Sequence, residues 1–143
     1  MHAQGDALAK DTVKALKGLK NVLLVTRFNS RHEAVNAREL ADVATVSLGR
    51  DIPRLALLSE QKDASNWLEL SIIQDEFGGL VEVLLYRSVL IVESGDIAFV
   101  PVWQDLRQIV GLLSANAVKD ALREILTKFA ADYYRANGGS PPR

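Results

Sequence analysis

A chain of 143 residues, 48% hydrophobic and 24% charged, carries enough apolar material to build the core of one domain and too much to stay disordered. Its 17 basic and 18 acidic side chains leave a formal net charge of -1, which gives no global field for nucleic acid, and no nucleic-acid partner is expected. The sequence holds no cysteine, which excludes thiolate catalysis, disulfides and zinc ribbons, and its longest apolar run, around Val89 to Val92, is far too short to span a bilayer as a helix.

The start, Met1-His2-Ala3-Gln4, reads as the scar of a removed leader, because signal peptidases require small side chains just before the cut. An ordinary cytoplasmic start is the alternative. Residues 6–20 are predicted to form a leading helix or arm, with Leu8, Val13, Leu16 and Leu19 among Lys10, Lys14, Lys17 and Lys20. Lysines at that spacing make either a solvated face or a basic stripe suited to an anionic membrane surface. Residues 21–28, rich in β-branched and aromatic side chains, read as the first strand.

Ser30 with Glu33 forms a capping-box signature for a helix carrying Val35, Leu40, Ala41, Val43, Ala44 and Leu48, and Gly49 is the expected stop. Asn36 with Glu39 offers a second start about a turn later. Residues 54–58 form a short strand, and residues 59–64 a polar connection.

Residues 67–104 organise the chain. Three apolar-rich segments are separated only by the turn signals 75–79 and 94–96, the pattern of an antiparallel meander. Period-two alternation sends Leu68, Leu70, Ile72, Val81, Val83 and Leu85 inward, because that parity leaves Glu69, Ser71 and Glu82 in water. Arg87 breaks the inward set, so it lies beyond the area the helices cover or a bulge near Ser88 resets the parity. Pro101 in the third segment cannot donate a ladder hydrogen bond, which argues for an edge strand or a bulge. Residues 105–113 either extend that strand across a bulge or form a loop.

Ser114 or Asn116 caps a final helix whose stripe is Val118, Ala121, Leu122, Ile125, Phe129 and Tyr133. Glu124 and Lys128 stand at the i,i+4 spacing of an outward ion pair. Asn137-Gly138-Gly139 ends the helix, and residues 138–143 are expected to be a mobile tail of a single domain spanning residues 1–143.

No catalytic motif emerges. His32 has no histidine or cysteine partner within the fold, Asp75 and Glu76 are turn residues, and phosphate loops, serine elbows and zinc-binding histidine pairs are absent. No cofactor and no metal are implied, and the chain is not read as an enzyme. The candidate interface is the outward set Trp67, Leu84 and Tyr86, with Ile73 near one end, since aromatic residues facing away from a core concentrate at binding surfaces. The alternative is that the chain's own leading segment covers them.

The segment Val100-Pro101-Val102-Trp103-Gln104 and the helix end Phe129-Ala130-Ala131-Asp132-Tyr133-Tyr134-Arg135-Ala136-Asn137 resemble a family of small uncharacterised bacterial proteins made with signal peptides. Its members share a Pro-x-Trp strand and a closing Phe-x-x-Asp-Tyr-x-x-Ala-Asn helix. Leu16-Lys17-Gly18-Leu19-Lys20-Asn21-Val22 and Ala64-Ser65 also fit, while residues 107–113 depart from the pattern. The resemblance implies export, to the periplasm or beyond, and no activity. At fold level the order of elements is similar to the TolB amino-terminal domain and to envelope lipoproteins that assist lipid or lipopolysaccharide transport.

Together these features lead to a two-layer α+β domain, a mostly antiparallel sheet of about five strands with two helices packed on one face. The expected role is a non-catalytic envelope adaptor that meets a protein or lipid-linked partner, or a second copy, through an exposed sheet face or edge strand. The competing role is a small-molecule-binding or enzymatic domain with its pocket between helices and sheet. Polar groups converging on that gap would favour the pocket, and continuous apolar packing the adaptor.

Overall fold

The computed structural model describes residues 13–28, 35–60 and 64–142. In chain order these carry β1 (Asn21–Phe28), α1 (Ala37–Asp51), β2 (Ala56–Leu58), β3 (Asn66–Asp75), β4 (Gly78–Leu90), β5 (Ile97–Val110) and α2 (Ala115–Asn137). The strands form one sheet in the order β2-β1-β3-β4-β5. The expected meander is present as β3, β4 and β5, antiparallel and joined by short turns. β1 lies parallel to β2, because the α1 crossover returns the chain to run alongside it in the same direction, and β3 lies parallel to β1 on its other side. The sheet is therefore mixed, with its long pairings antiparallel, and two helices complete an α+β fold.

Alternation decides where the core sits. Leu68, Leu70, Ile72, Val81, Val83 and Leu85 are all fully buried, as the parity requires. Leu40, Ala44 and Leu48 of α1 and the predicted stripe of α2 meet them, and Leu126, Ala130 and Tyr134 widen that stripe. The space between helices and sheet is filled by apolar packing, with the buried Asp132 facing Trp103 as its polar exception.

The helix boundaries follow from their caps. Ser114 Oγ accepts from the Ala117 amide at 3.1 Å and starts α2, and Gly138 at φ 80° ends it. Asn36 Oδ1 accepts from the Glu39 amide at 2.8 Å and Asn36 Nδ2 donates to Glu39 Oε1 at 3.0 Å, so the second of the two predicted starts opens α1. The Ser30 signal lies outside the described residues. Gly49 does not stop α1, which continues to Asp51. Ile52 is fully buried and its amide still donates to Leu48 O, and it is Pro53, with no amide hydrogen, that ends the run.

Two expectations left with alternatives are resolved, Arg87 by its place beyond the helices and Pro101 by a bulge in an edge strand, and the expected Glu124-Lys128 pair is corrected. Arg87 keeps the inward parity without a bulge in β4: it reaches past the helices and donates to Ala15 O at 2.7 Å and Lys17 O at 3.0 Å. The bulge instead lies in β5, where Leu85 pairs with Trp103 but Tyr86 with Pro101, leaving Val102 unmatched and letting the strand continue to Val110. Glu124 and Lys128 do not pair with each other; Glu124 meets Arg107 at 3.5 Å and Lys128 meets Asp105 at 3.7 Å, tying α2 to β5.

The bulge presents Trp103 to α2. Its Nε1 donates to the buried Asp132 Oδ2 at 3.0 Å, and its ring stands edge-on to Phe129 at 5.1 Å. At the end of α2, Asn137 Nδ2 donates to Leu16 O and Tyr133 O while its Oδ1 accepts from the Gly18 amide, which docks the leading turn with Leu16 and Leu19 in the core.

Candidate protein-interaction face

Strand register sorts the side chains of the sheet face opposite the helices into rows. One row runs Leu23, Trp67, Tyr86, Pro101; the next Val25, Glu69, Leu84, Gln104; the next Arg27, Ser71, Glu82, Leu106. No described helix lies over these rows. Trp67 and Tyr86 are direct cross-strand partners, with rings stacked at 4.9 Å. Phe99, opposite Ser88, closes on the other side of Trp67 at 4.6 Å, so the indole sits between two rings. All of this places Trp67, Leu84, Tyr86 and Ile73 on the outward face and half-buried, because neighbouring strands crowd one another. Ile73 does not join the aromatic group: it lies six residues along β3, roughly 20 Å away.

Sequence reasoning missed Phe99, which is 43% exposed, because the bulge after Pro101 hides the parity of that strand. It also missed Leu23, Val25 and Arg27 of β1. With Ala64, Trp67 and Phe99 these line a hollow of about 350 Å³ beside the aromatic group.

A polar belt crosses the middle of the face. The parity of Glu69 and Ser71 is as predicted, but neither is in water: Glu69 is only 3% exposed, covered by its row neighbours. Arg27 Nε lies 2.8 Å from Glu69 Oε1, off the line of a hydrogen bond, while the Arg27 side chain is 74% exposed and keeps its remaining donors toward solvent. Tyr86 raises its phenol pKa here, first through burial, then through the Glu69 charge and the hydrogen bond to that carboxylate, with Arg27 opposing. Glu82 Oε2 accepts from Gln104 Nε2 at 2.6 Å, and these groups surround a second hollow of about 220 Å³.

The arrangement suits association more than reaction: aromatic area held rigid by stacking, beside one charged pair whose cation faces outward. Among the described residues no group of His, Cys, Asp or Glu is placed to hold a metal ion. His32 and Lys10 lie outside the described residues, and Lys14, Lys17 and Lys20 are exposed near the docked leading turn. No described helix is long and apolar enough to cross a membrane.

No family model and no curated protein sequence matches the chain. Its structure is similar to several solved ones. A hypothetical protein from Chlamydia trachomatis aligns at TM-score 0.48 and 10% identity, over 80% of this chain and 98% of that one. TolB from Acinetobacter baumannii aligns at 0.44 and 14% identity, over 84% of this chain and 28% of that one. The C-terminal domain of LpoB from Salmonella enterica aligns at 0.40 and 15% identity, over 73% of this chain and 96% of that one.

Proposed function

We propose that this chain is a non-catalytic binding module of the bacterial envelope that receives a protein partner on its open sheet face. The observation that carries this reading is the stack of Tyr86, Trp67 and Phe99 on a face with no described helix over it. Large rigid aromatic area lowers the entropy lost on association and supplies the anchors that dominate interface energies. The gap between helices and sheet supports the same reading: it is closed by Leu48, Leu68, Ile72, Val83, Leu122, Ile125 and Phe129, all at most 1% exposed, which favours an adaptor over a pocket protein. Placement in the envelope rests on the resemblance carried by the Pro-x-Trp strand and the closing helix.

Replacing Trp67 and Tyr86 together by Ser tests the face. Partner capture from envelope extracts should be lost while the unfolding midpoint stays close to that of the parent protein. A fall of several kcal/mol in stability would mean that the pair serves the core, and undiminished capture would place the partner elsewhere. Expressed from its native gene start, the protein should fractionate with the periplasm or the medium and carry a processed N-terminus; recovery from the cytosol with its first residue intact would overturn the export assignment.

A further inference from the structure

Among the described residues β5 is the longest strand of the sheet and stands at its edge, hydrogen-bonded to β4 on one side only. Edge strands are usually short, kinked or charged, since an open ladder recruits other strands. β5 is kinked at Val102 by the bulge and turns away at Gly111, φ 88°, and between these points Trp103 to Val110 runs straight. Along that run the outward face shows Gln104, Leu106, Gln108 and Val110, with Leu106 42% and Val110 81% exposed, and the helix side shows Asp105 and Arg107.

We infer that β5 pairs antiparallel with β5 of a second copy, about a two-fold axis through Leu106. An axis normal to the sheet keeps both pairs of helices on one side, and it must pass through a residue so that outward side chains oppose outward ones. Within the straight run, an axis at Asp105 sets two carboxylates face to face and one at Arg107 sets two guanidinium groups face to face; like charges directly opposite are destabilising. The axis at Leu106 opposes Asp105 to Arg107 in both directions, Gln104 to Gln108, and Leu106 to itself. The two charges already attract each other within one chain, Arg107 Nη1 lying 2.8 Å from Asp105 Oδ2, with Glu124 at 3.5 Å from Arg107 and Lys128 at 3.7 Å from Asp105, so the dimer joins two such clusters of alternating sign across the axis. Leu106 also sits at the middle of the straight run, which lets the bulge and Gly111 close the two ends of the ladder symmetrically. The product is a ten-stranded sheet with both aromatic stacks on the same open face, so that a repetitive partner would be held at two points.

The chain contains no native cysteine, which makes the register directly measurable. In sedimentation velocity the parent protein should run at twice its 15.7 kDa mass in the micromolar range, and Leu106→Glu should run as a monomer with unchanged circular dichroism. Oxidation of Leu106→Cys should give a covalent dimer, whereas Gln108→Cys should not, because its two thiols would lie four residues apart along the ladder, about 14 Å, beyond disulfide reach. Asp105→Asn, which removes the opposite charge facing Arg107 across the axis, should weaken the dimer with unchanged circular dichroism. A parent protein of monomer mass across that range, or cross-linking of Gln108→Cys as ready as that of Leu106→Cys, would overturn the inference.

Discussion

Phe129→Ala measures how much of the fold depends on the contact between α2 and the sheet. Phe129 is completely buried, and its ring meets the edge-on Trp103 at 5.1 Å. Loss of its transfer free energy, with a cavity that the surrounding leucines and Trp103 can only partly close, should cost about 3 to 5 kcal/mol. With an unfolding entropy of about 2 cal/mol/K per residue, that loss lowers the melting midpoint by roughly 10 to 17 °C. Lys128→Ala, one position earlier, removes a side chain that is 55% exposed and whose Nζ is 3.7 Å from Asp105, and should stay within about 0.5 kcal/mol. Urea titrations with a common slope separate the two cases. Equal losses, or a larger loss at Lys128, would show that the core-facing side of α2 is assigned wrongly.

Trp103→Phe keeps the packing against Phe129 but strips the buried Asp132 of the indole N–H, and should destabilise by about 1 to 3 kcal/mol in chemical denaturation, whereas Asp132→Asn, which still offers an acceptor, should lose less. Asn137→Ala releases Leu16 O and the Gly18 amide and should cost about 1 to 2 kcal/mol, with hydrogen exchange rising first in the leading turn. Tyr86 has a raised pKa, so the folded protein holds its phenolic proton beyond the pH at which the unfolded chain releases it; the stability this confers is complete below about pH 10 and is lost as pH rises through the folded value. Ultraviolet titration of phenolate should accordingly move Tyr86 toward the ordinary value in Glu69→Gln, and an unmoved titration would remove Glu69 as a cause.

The core of the meander was legible because β3 and β4 each offer one parity free of carboxylates, and register then follows from a period of two. β1 was not so readable: Val22 and Leu24 on one side and Leu23 and Val25 on the other are equally apolar, so neither its place between β2 and β3 nor its share of the open face could be read. Phe99 was hidden for a related reason, since one extra residue at Val102 shifts parity and nothing in the local sequence besides Pro101 signals it. Burial of Glu69 escaped alternation altogether, because parity says which way a side chain points and not how closely the neighbouring rows crowd it. Gly49 looked like a stop by composition, but the tertiary demand for Ile52 in the core carried α1 past it.

The residues of the sequence signature turn out to hold the fold together, and this separates them from the surface proposed for binding. Pro101 sits at the bulge that offsets β5; the offset pairs Trp103 with Leu85 on the helix side; and Trp103 there meets both Phe129 and Asp132. Tyr133 receives the Arg54 Nε hydrogen bond at 3.1 Å, with the guanidinium 5.2 Å above its ring, and Asn137 fastens the leading turn to the end of α2. Each of these contacts joins elements distant in sequence, so a change at one strands a buried partner at another, and the set is costly to alter piecemeal. Among the described residues Trp67, Tyr86, Phe99 and Leu106 have no such linkage to the helix layer: they lie on the other side of the sheet, the three aromatic rings against one another. Substitution at them should change what the protein associates with at little cost to folding, and substitution within the signature should do the reverse. A double-mutant cycle between Trp103→Phe and Asp132→Ala should therefore show coupling of about 1 kcal/mol or more, while one between Trp103→Phe and Trp67→Ser should be additive to within about 0.5 kcal/mol. Strong coupling in the second cycle would mean that the two faces of the sheet act as one unit, and that the binding face cannot vary independently of the fold.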